Sequence, residues 1–404
     1  MSRMPLEGLK VADFCWVAAG PIVTRYLADH GATVVRVESR AKVDPLRLDA
    51  PFTDGIAGEN RSGFFANYNS SKYSIALDLN KPEAIAVALR LVQWADVVAE
   101  NFTPGLMKRW GLDYESVVKI KPDVIYLSTS MQGQNGPHAR HPGYGNNAVS
   151  LAGLTHITGL PDREAVMPYG AYTDFISPRF AVLALLAAID YKRQTGQGQY
   201  IDVAQAETAV QFIAPVLMDC AANGAIFERR GNRDPYACPH GAYPCRGEDC
   251  WCVIAVFNDQ QWSGLQEAMG DPDWARDMEF GTLLKRKANE DELDARISRW
   301  TRNYAPEEIM EMLQGRGVPS GVVHDCQGLY NDPQLKYRSY FVAIEHPEMG
   351  RHHYEGHAFR MSRTPGQLRA PSPLLGQHSH LVLTDILEMS DEEIARLVEA
   401  EALE

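Results

Sequence analysis

The chain has 404 residues, with 39 Lys and Arg against 52 Asp and Glu, a formal charge of −13 and a pI near 5.4. Polyanion recognition needs a continuous basic face, and the longest basic run here is Lys285-Arg286-Lys287, so a nucleic-acid partner is excluded. Hydrophobic residues at 45% and charged residues at 23% exclude a disordered chain and leave apolar surface for a large core.

The longest apolar run, Phe180 to Ile189, is about half of the roughly 18 to 20 residues a membrane helix needs, so no membrane partner is expected. Met1 to Lys10 carries Arg3, Glu7 and Lys10 without an apolar stretch, which predicts a cytoplasmic protein with no secretory signal. Its seven cysteines (15, 220, 238, 245, 250, 252 and 326) are then expected to stay reduced.

The spacing predicts strand, helix, strand at the start. Val11 to Phe14 is a short apolar strand, Gly20-Pro21 breaks it, Ile22 to Asp29 is a helix stopped by Gly31, and Thr33 to Glu38 is a strand rich in branched residues. The pattern repeats: strand Ser74 to Leu79, helix Pro82 to Trp94 opened by its proline, strand Asp96 to Glu100, helical Gly105 to Trp110 and Tyr114 to Ile120, then strand Val124 to Ser130. Strands alternating with helices predict a parallel sheet covered on both faces. A long helix from Ser177 to Tyr191, with Pro178 in its first turn and Lys192-Arg193 at its end, leads into the strand Tyr200 to Val203.

Beyond about residue 225 the texture shifts to Gly, Pro, Arg and aromatics, with Trp251 to Phe257 as a strand, Ser298 to Gln314 as a helix and Val318 to His324 as a strand. The expected division is a large α/β domain over 1–224, a smaller α+β domain over 225–325, and a loop-rich tail over 326–404 that returns to the large domain. Ser390 is expected to cap a closing helix through Ala400.

Among the motifs, the turn Val17-Ala18-Ala19-Gly20-Pro21 has one glycine where the dinucleotide fingerprint needs three, which disfavours NAD. It reads either as a structural turn or as helix-start amides holding another ligand's polar group. Cys238, His240, Cys245, Cys250 and Cys252 lack zinc spacing and read as small buried side chains, so no metal is expected. Asp174, in the segment YGAYTDF just ahead of the long helix, reads first as an N-cap. It is compatible with a nucleophile as well, because the helix dipole favours its ionised form.

These residues resemble those of the family III coenzyme A transferases, relatives of formyl-CoA transferase and carnitine CoA-transferase. The resemblance runs through PLEGLKV at residue 5, AGP at 19, GATVVRVE at 31, NSSKYSIALD at 69, ADVVAENFTPG at 95, Asp174, RQTGQGQYIDV at 193 and PLLGQH at 373. The order is specific where single motifs are weak. It implies a Rossmann-like large domain with a parallel sheet, an inserted smaller domain, and an interlocked dimer that is either a homodimer or a heteromer with a homologous subunit.

The activity so implied is transfer of coenzyme A from an acyl-CoA donor, succinyl-CoA favoured, to a carboxylic acid. The route runs through an aspartyl anhydride and an aspartyl-CoA thioester, with CoA a substrate and no tightly bound cofactor. Asp174 matches the nucleophile. Val17, Ala18 and Ala19 match a loop over the pantetheine, and Asn101, Phe102 and Arg109 match contacts to the pantetheine and phosphate end. Arg40 matches an adenine-contacting arginine, with Ser39 the alternative at that position. Formyl-transferring members carry glutamine where this chain has Ala18, and a glycine run absent between Gly224 and Trp251, so a bulkier acid is expected, lined by Ala18, Tyr144, His240 and Tyr243. The overall wording is nearest to members acting on aromatic or dicarboxylic acids, benzylsuccinate CoA-transferase among them. Two readings stay open: an acyl-CoA racemase or isomerase pairing Asp174 with His141 or His156, and a non-catalytic acyl-CoA-binding subunit.

Overall fold

The computed structural model describes residues 4–404, so the first three residues of the N-terminal segment lie outside it. Six strands lie parallel in the order β3-β2-β1-β4-β5-β6. They are β1 (Lys10–Asp13), β2 (Thr33–Glu38), β3 (Tyr73–Ala76), β4 (Val97–Glu100), β5 (Ile125–Ser130) and β6 (Gln199–Ala204). This is the order of a doubly wound dinucleotide fold, and it confirms the expected α/β class and parallel sheet.

Every residue of β4 and β5 is buried, as the apolar composition of strands covered on both faces requires. On one face Val11, Val34, Val97, Ile125 and Leu127 pack against Val23 and Leu27 of helix α1 (Ala19–Asp29). On the other, Ala12, Val35, Val98 and Tyr126 meet Val87 and Leu91 of α2 (Pro82–Trp94) and, from the end of the chain, Val382, Leu383 and Leu397. Helix α3 (Gly145–Leu151), which has no forecast in the sequence, precedes the long α4 (Tyr172–Thr195). Ala181, Leu185, Ala188 and Ile189 of α4 join α1 over the first face. By length and composition α4 also qualifies as a membrane-spanning segment, although less than half of its most apolar stretch, 44%, is buried. Helix α5 (Gln205–Phe212) follows β6 directly.

The chain forms two compact units. The larger holds residues up to 155, 167–226 and 336–404; the smaller holds 156–166 and 227–335. The smaller unit has its own antiparallel sheet of β7 (His240–Pro244), β8 (Trp251–Ala255) and β9 (Ser320–Val322), and its own core. Cys238, Cys245 and Cys252 belong to that core. Three expectations change here. The stretch from Ser298 to Gln314 is two helices, Glu290–Thr301 and Pro306–Gln314, because Pro306 opens a new helix and forces Ala305 into an extended conformation. The tail, read as loop, contains a hairpin of β10 (Phe341–His346) and β11 (Gly350–Glu355). And α4 begins at Tyr172, so Pro178 lies inside the helix and not in its first turn. The closing helix Asp391–Glu399 is capped as expected, with Ser390 Oγ accepting from Glu393 N–H and Ser390 N–H donating to Glu393.

Six ionised side chains lie buried at the carboxyl ends of β1 and β2. Arg47 donates to both oxygens of Glu38 at 2.7 and 2.8 Å, and to the carbonyl of Pro373 at 3.0 Å. Arg36 pairs with Asp44 and donates to the carbonyl of Cys15 at 2.6 Å. Lys72 Nζ stands 3.1 Å from Asp13 Oδ2 and 2.9 Å from Asn69 Oδ1. Burial alone would raise Glu38, but the guanidinium groups of Arg47 and Arg36 outweigh it and hold it down at about 2. Three cations balance three anions. Glu38→Gln removes one anion and leaves the buried Arg47 guanidinium without its carboxylate, and is expected to cost about 3 to 5 kcal/mol, measured as a lower urea midpoint at unchanged m-value.

Candidate active site

In an open parallel sheet the chain leaves a crevice at the carboxyl ends of the two strands where the winding reverses, here β1 and β4. A cavity of about 730 Å3 occupies that position. Its walls are apolar, from Phe14, Trp16, Val37, Leu79, Phe102 and Trp110, and the last three aromatics of that set interlock edge to face, Trp16 on Phe102 and Phe102 on Trp110. Lys42 and Arg109 line it as well, both exposed, and Ser39 adds a hydroxyl. An apolar slot with cations at its rim suits a long neutral arm ending in phosphates.

The loop leaving β1 forms one wall, and its conformation is set by side chains from elsewhere. Asn101 clamps the backbone of Trp16, accepting its N–H at 2.8 Å and donating to its carbonyl at 2.8 Å. Val17 sits at φ 62°, with its N–H held by both oxygens of Asp44 at 3.1 Å. Gly20 follows where a Cβ would lie 2.5 Å from Cys15, so only glycine lets α1 start this close to the strand.

Asp174 is buried, with 7% of its surface exposed. It is the third residue of α4, whose N-cap is Ala171, so the N-cap reading does not hold. Pro178 has no N–H to give the Asp174 carbonyl, so the helix lacks that rung. Burial pushes the carboxyl up to about 6, with hydrogen bonds from the Gln205 side chain and the Gly145 backbone opposing. Desolvation therefore outweighs the groups that favour the ionised form, and the carboxyl is raised where the sequence predicts it lowered. Among the described residues no Lys, Arg or His forms an ion pair with it. Gly145 is tight against it: a Cβ there would lie 2.7 Å from both Cγ and Oδ2 of Asp174. The buried Thr173 hydroxyl stands 2.9 Å from the Gly145 carbonyl and 3.2 Å from Gln205 Oε1, tying the first turns of α3, α4 and α5 together.

Tyr144, 64% exposed, lines the cavity and precedes Gly145, so the cavity wall and the carboxylate are joined through adjacent residues of the chain, although Asp174 is not itself a lining residue. On the other side Phe175 packs with Val17, Ala18 and Ile22, so the loop after β1 and the first turn of α4 are neighbours. Of the residues singled out in the sequence, Val17, Phe102, Arg109 and Tyr144 share the cavity.

The others lie differently. Ala18 and Ala19 are buried, Ala18 in the cluster of Ile22, Leu46, Phe65 and Tyr68. The Val17 amide is already used by Asp44, and Asn101 is spent on Trp16. Arg40 points away, to Glu59 at 3.1 Å and the carbonyl of Leu375 at 3.3 Å, while Ser39 faces the cavity. Tyr243 is closed into the core of the smaller unit, its hydroxyl donating to Asp294 at 2.6 Å. His240 is on β7 of that unit beside the carbonyl of Asn232. His141 is exposed against His138, and His156 faces Glu228 at 3.7 Å within the smaller unit. Gly145, Gln205, Asp44 and Lys42 had no signal in the sequence, because each acts through a neighbour distant along the chain.

The raised carboxyl has a stability consequence. In the unfolded chain Asp174 titrates near 3.8, in the folded one near 6, so the native state loses stability as pH rises through that window. Asp174→Asn removes the cost, and is expected to stabilise the protein by roughly 1 to 3 kcal/mol at pH 8, shrinking toward zero near pH 4, as read from melting curves at both pH values.

A family model described as CoA-transferase family III matches residues 6–379. The chain is 32% identical over 393 residues to the succinyl-CoA–D-citramalate CoA-transferase of Chloroflexus aurantiacus, covering 97% of this chain and 96% of that protein. It is 31% identical over 396 residues to the alpha subunit of a succinyl-CoA–L-malate CoA-transferase of the same organism, covering 98% and 92%. Among solved structures a CAIB/BAIF family protein from Brucella suis matches with a TM-score of 0.87 at 31% identity, over 95% of this chain and all of that one. With sequence, fold and family model agreeing over nearly its whole length, the chain belongs to CoA-transferase family III.

Proposed function

We propose that this enzyme moves coenzyme A from succinyl-CoA to a dicarboxylic acid, with Asp174 as the covalent relay. The observation that carries this is a buried carboxylate, free of any ion pair among the described residues, packed against Gly145, the chain neighbour of the cavity-lining Tyr144. The names of its relatives, which act from succinyl-CoA on citramalate and malate, support the donor and the class of acceptor. Phe102 and Trp110 flank the pantetheine arm, while Lys42 and Arg109 meet the phosphates.

An oxygen of Asp174 attacks the donor thioester carbon; a C–O bond forms, the C–S bond breaks, and CoA leaves as thiolate. The thiolate attacks Cγ of Asp174 in the resulting anhydride, forming a C–S bond and releasing the donor acid as carboxylate. The acceptor carboxylate then runs both steps in reverse. No proton is consumed, and one thioester replaces another. A carboxyl titrating near 6 is ionised at neutral pH and more nucleophilic than one held at 3.8.

A second chain is part of the proposal. Leu183 on α4, Phe212 on α5 and Met218 on the next helix, Ala214–Asn223, are each more than half exposed, an apolar face for a second copy or a homologous subunit.

The purified chain, expressed alone, is expected to convert succinyl-CoA and malate, citramalate or glutarate into new thioesters identified by mass, with a CoA adduct on Asp174 after acid quench. Absence of any new thioester across a panel that includes benzylsuccinate and acetate overturns the transferase reading, and deuterium uptake from heavy water without transfer favours the racemase. Arg109→Ala is expected to raise KM for succinyl-CoA about tenfold at low salt with kcat little changed, and the ratio to wild type should shrink at high salt.

A further inference from the structure

We infer that the Gly145 N–H and the Gln205 side-chain amide form an oxyanion cradle for the carbonyl oxygen of Asp174 itself, serving the two steps in which Cγ of Asp174 is the atom attacked. This rests on the relay reading above. The relay exposes the enzyme's own carboxyl carbon to a nucleophile twice in each cycle, once to CoA thiolate at the anhydride and once to the acceptor carboxylate at the thioester. In both, the tetrahedral intermediate places a full negative charge on the non-bridging oxygen that began as a carboxylate oxygen of Asp174. That oxygen needs donors already aimed at it.

The donors are in place before reaction. Gly145 lies so close under the carboxyl that a Cβ would stand 2.7 Å from Cγ, which brings its backbone amide beside it. Gln205, 7% exposed, is the first residue of α5, and its side chain and the Gly145 amide are the two groups that favour the ionised carboxyl. Its Oε1 faces the Thr173 hydroxyl at 3.2 Å, which turns its NH2 toward Asp174. Thr173 is itself fully buried, and its one hydroxyl proton is placed between the Gly145 carbonyl at 2.9 Å and Gln205 Oε1, so the three residues are held as one cluster.

Both donors are neutral. A lysine or arginine in their place would pin the carboxylate in an ion pair and weaken it as a nucleophile, whereas neutral donors bind moderately to the spread charge of a carboxylate and more strongly to the concentrated charge of an alkoxide. The same pair therefore serves the resting carboxylate, the neutral carbonyl of the acylated enzyme and the intermediate between them. The charge that develops on the donor's own carbonyl in the first step falls on a different atom, outside this cradle.

That separation gives a partition test. In Gln205→Met, similar in length but without a donor, Asp174 still opens succinyl-CoA and releases thiolate, but thiolate return to Cγ is slowed. Water then adds across the anhydride, giving succinate and the regenerated Asp174. At pH 8, where Asp174 is ionised in either protein, CoA transfer to the acceptor is expected to fall about 100-fold, while free thiol released per succinyl-CoA consumed, followed with a thiol reagent, rises above the wild-type level. Gln205→Leu, which also lacks the donor and adds no charge, must show the same split, and circular dichroism reports folding for both. Loss of transfer without a rise in that thiol yield in the two variants, or unchanged transfer, overturns the cradle while wild type still shows its Asp174 adduct. A wild type without that adduct overturns the relay, and the cradle with it.

Discussion

The site depends on a knot of buried charge behind its wall, of which Glu38 alone reaches the cavity lining. Asp13, Glu38 and Asp44 are balanced by Arg36, Arg47 and Lys72, all closed from solvent behind the ends of β1 and β2. Such a group is costly to bury, and replacing a buried ion pair by apolar residues is often neutral or better for stability. What an apolar replacement lacks is direction. Arg36 fixes the carbonyl of Cys15, Asp44 fixes the N–H of Val17, and Arg47 reaches the tail at Pro373. The strand end, the cavity wall and the returning C-terminal segment are joined through hydrogen bonds that only one arrangement satisfies.

This constraint explains what a reader of the sequence can and cannot find. Periodicity is local, so the strand Thr33–Glu38 and the helices Pro82–Trp94 and Tyr114–Ile120 are legible to the residue. Charge pairing is not local. The segment TVVRVE reads as a β-branched strand with two ordinary charges, and nothing within it says that Arg36 meets Asp44 and that Glu38 meets Arg47. The same holds at the carboxylate. Asp174 stands out through the glycines and aromatics around it, whereas Gly145 and Gln205 are about 30 residues away on either side and become its neighbours only when three helix starts meet. Proline misled twice, at Pro178 and at Pro306, in opposite senses: one lies within a helix that tolerates it, the other divides a stretch that looks continuous.

The resemblance to known transferases supplied the chemistry, and the physical setting adds what a motif does not contain. The groups set against the Asp174 carboxyl, Gly145 and Gln205, are uncharged, while Lys42 and Arg109 line the cavity, of which Asp174 is not a lining residue. Cations and carboxyl are thus held apart. A cation beside the carboxylate would lower its pKa.

Pro178 gives the first turn of α4 a mechanical character distinct from the rest of the helix. Downstream, Ala181, Leu185 and Ala188 are locked into the core. Upstream, the carbonyl of Asp174 receives no helical N–H, although Thr173 ties the same turn to Gly145 and Gln205. A bend at that point gives up fewer helical hydrogen bonds than a bend elsewhere in the shaft. Asp174 therefore stands in the one turn of α4 where the backbone ladder is interrupted, carried on a shaft that the core otherwise holds rigid.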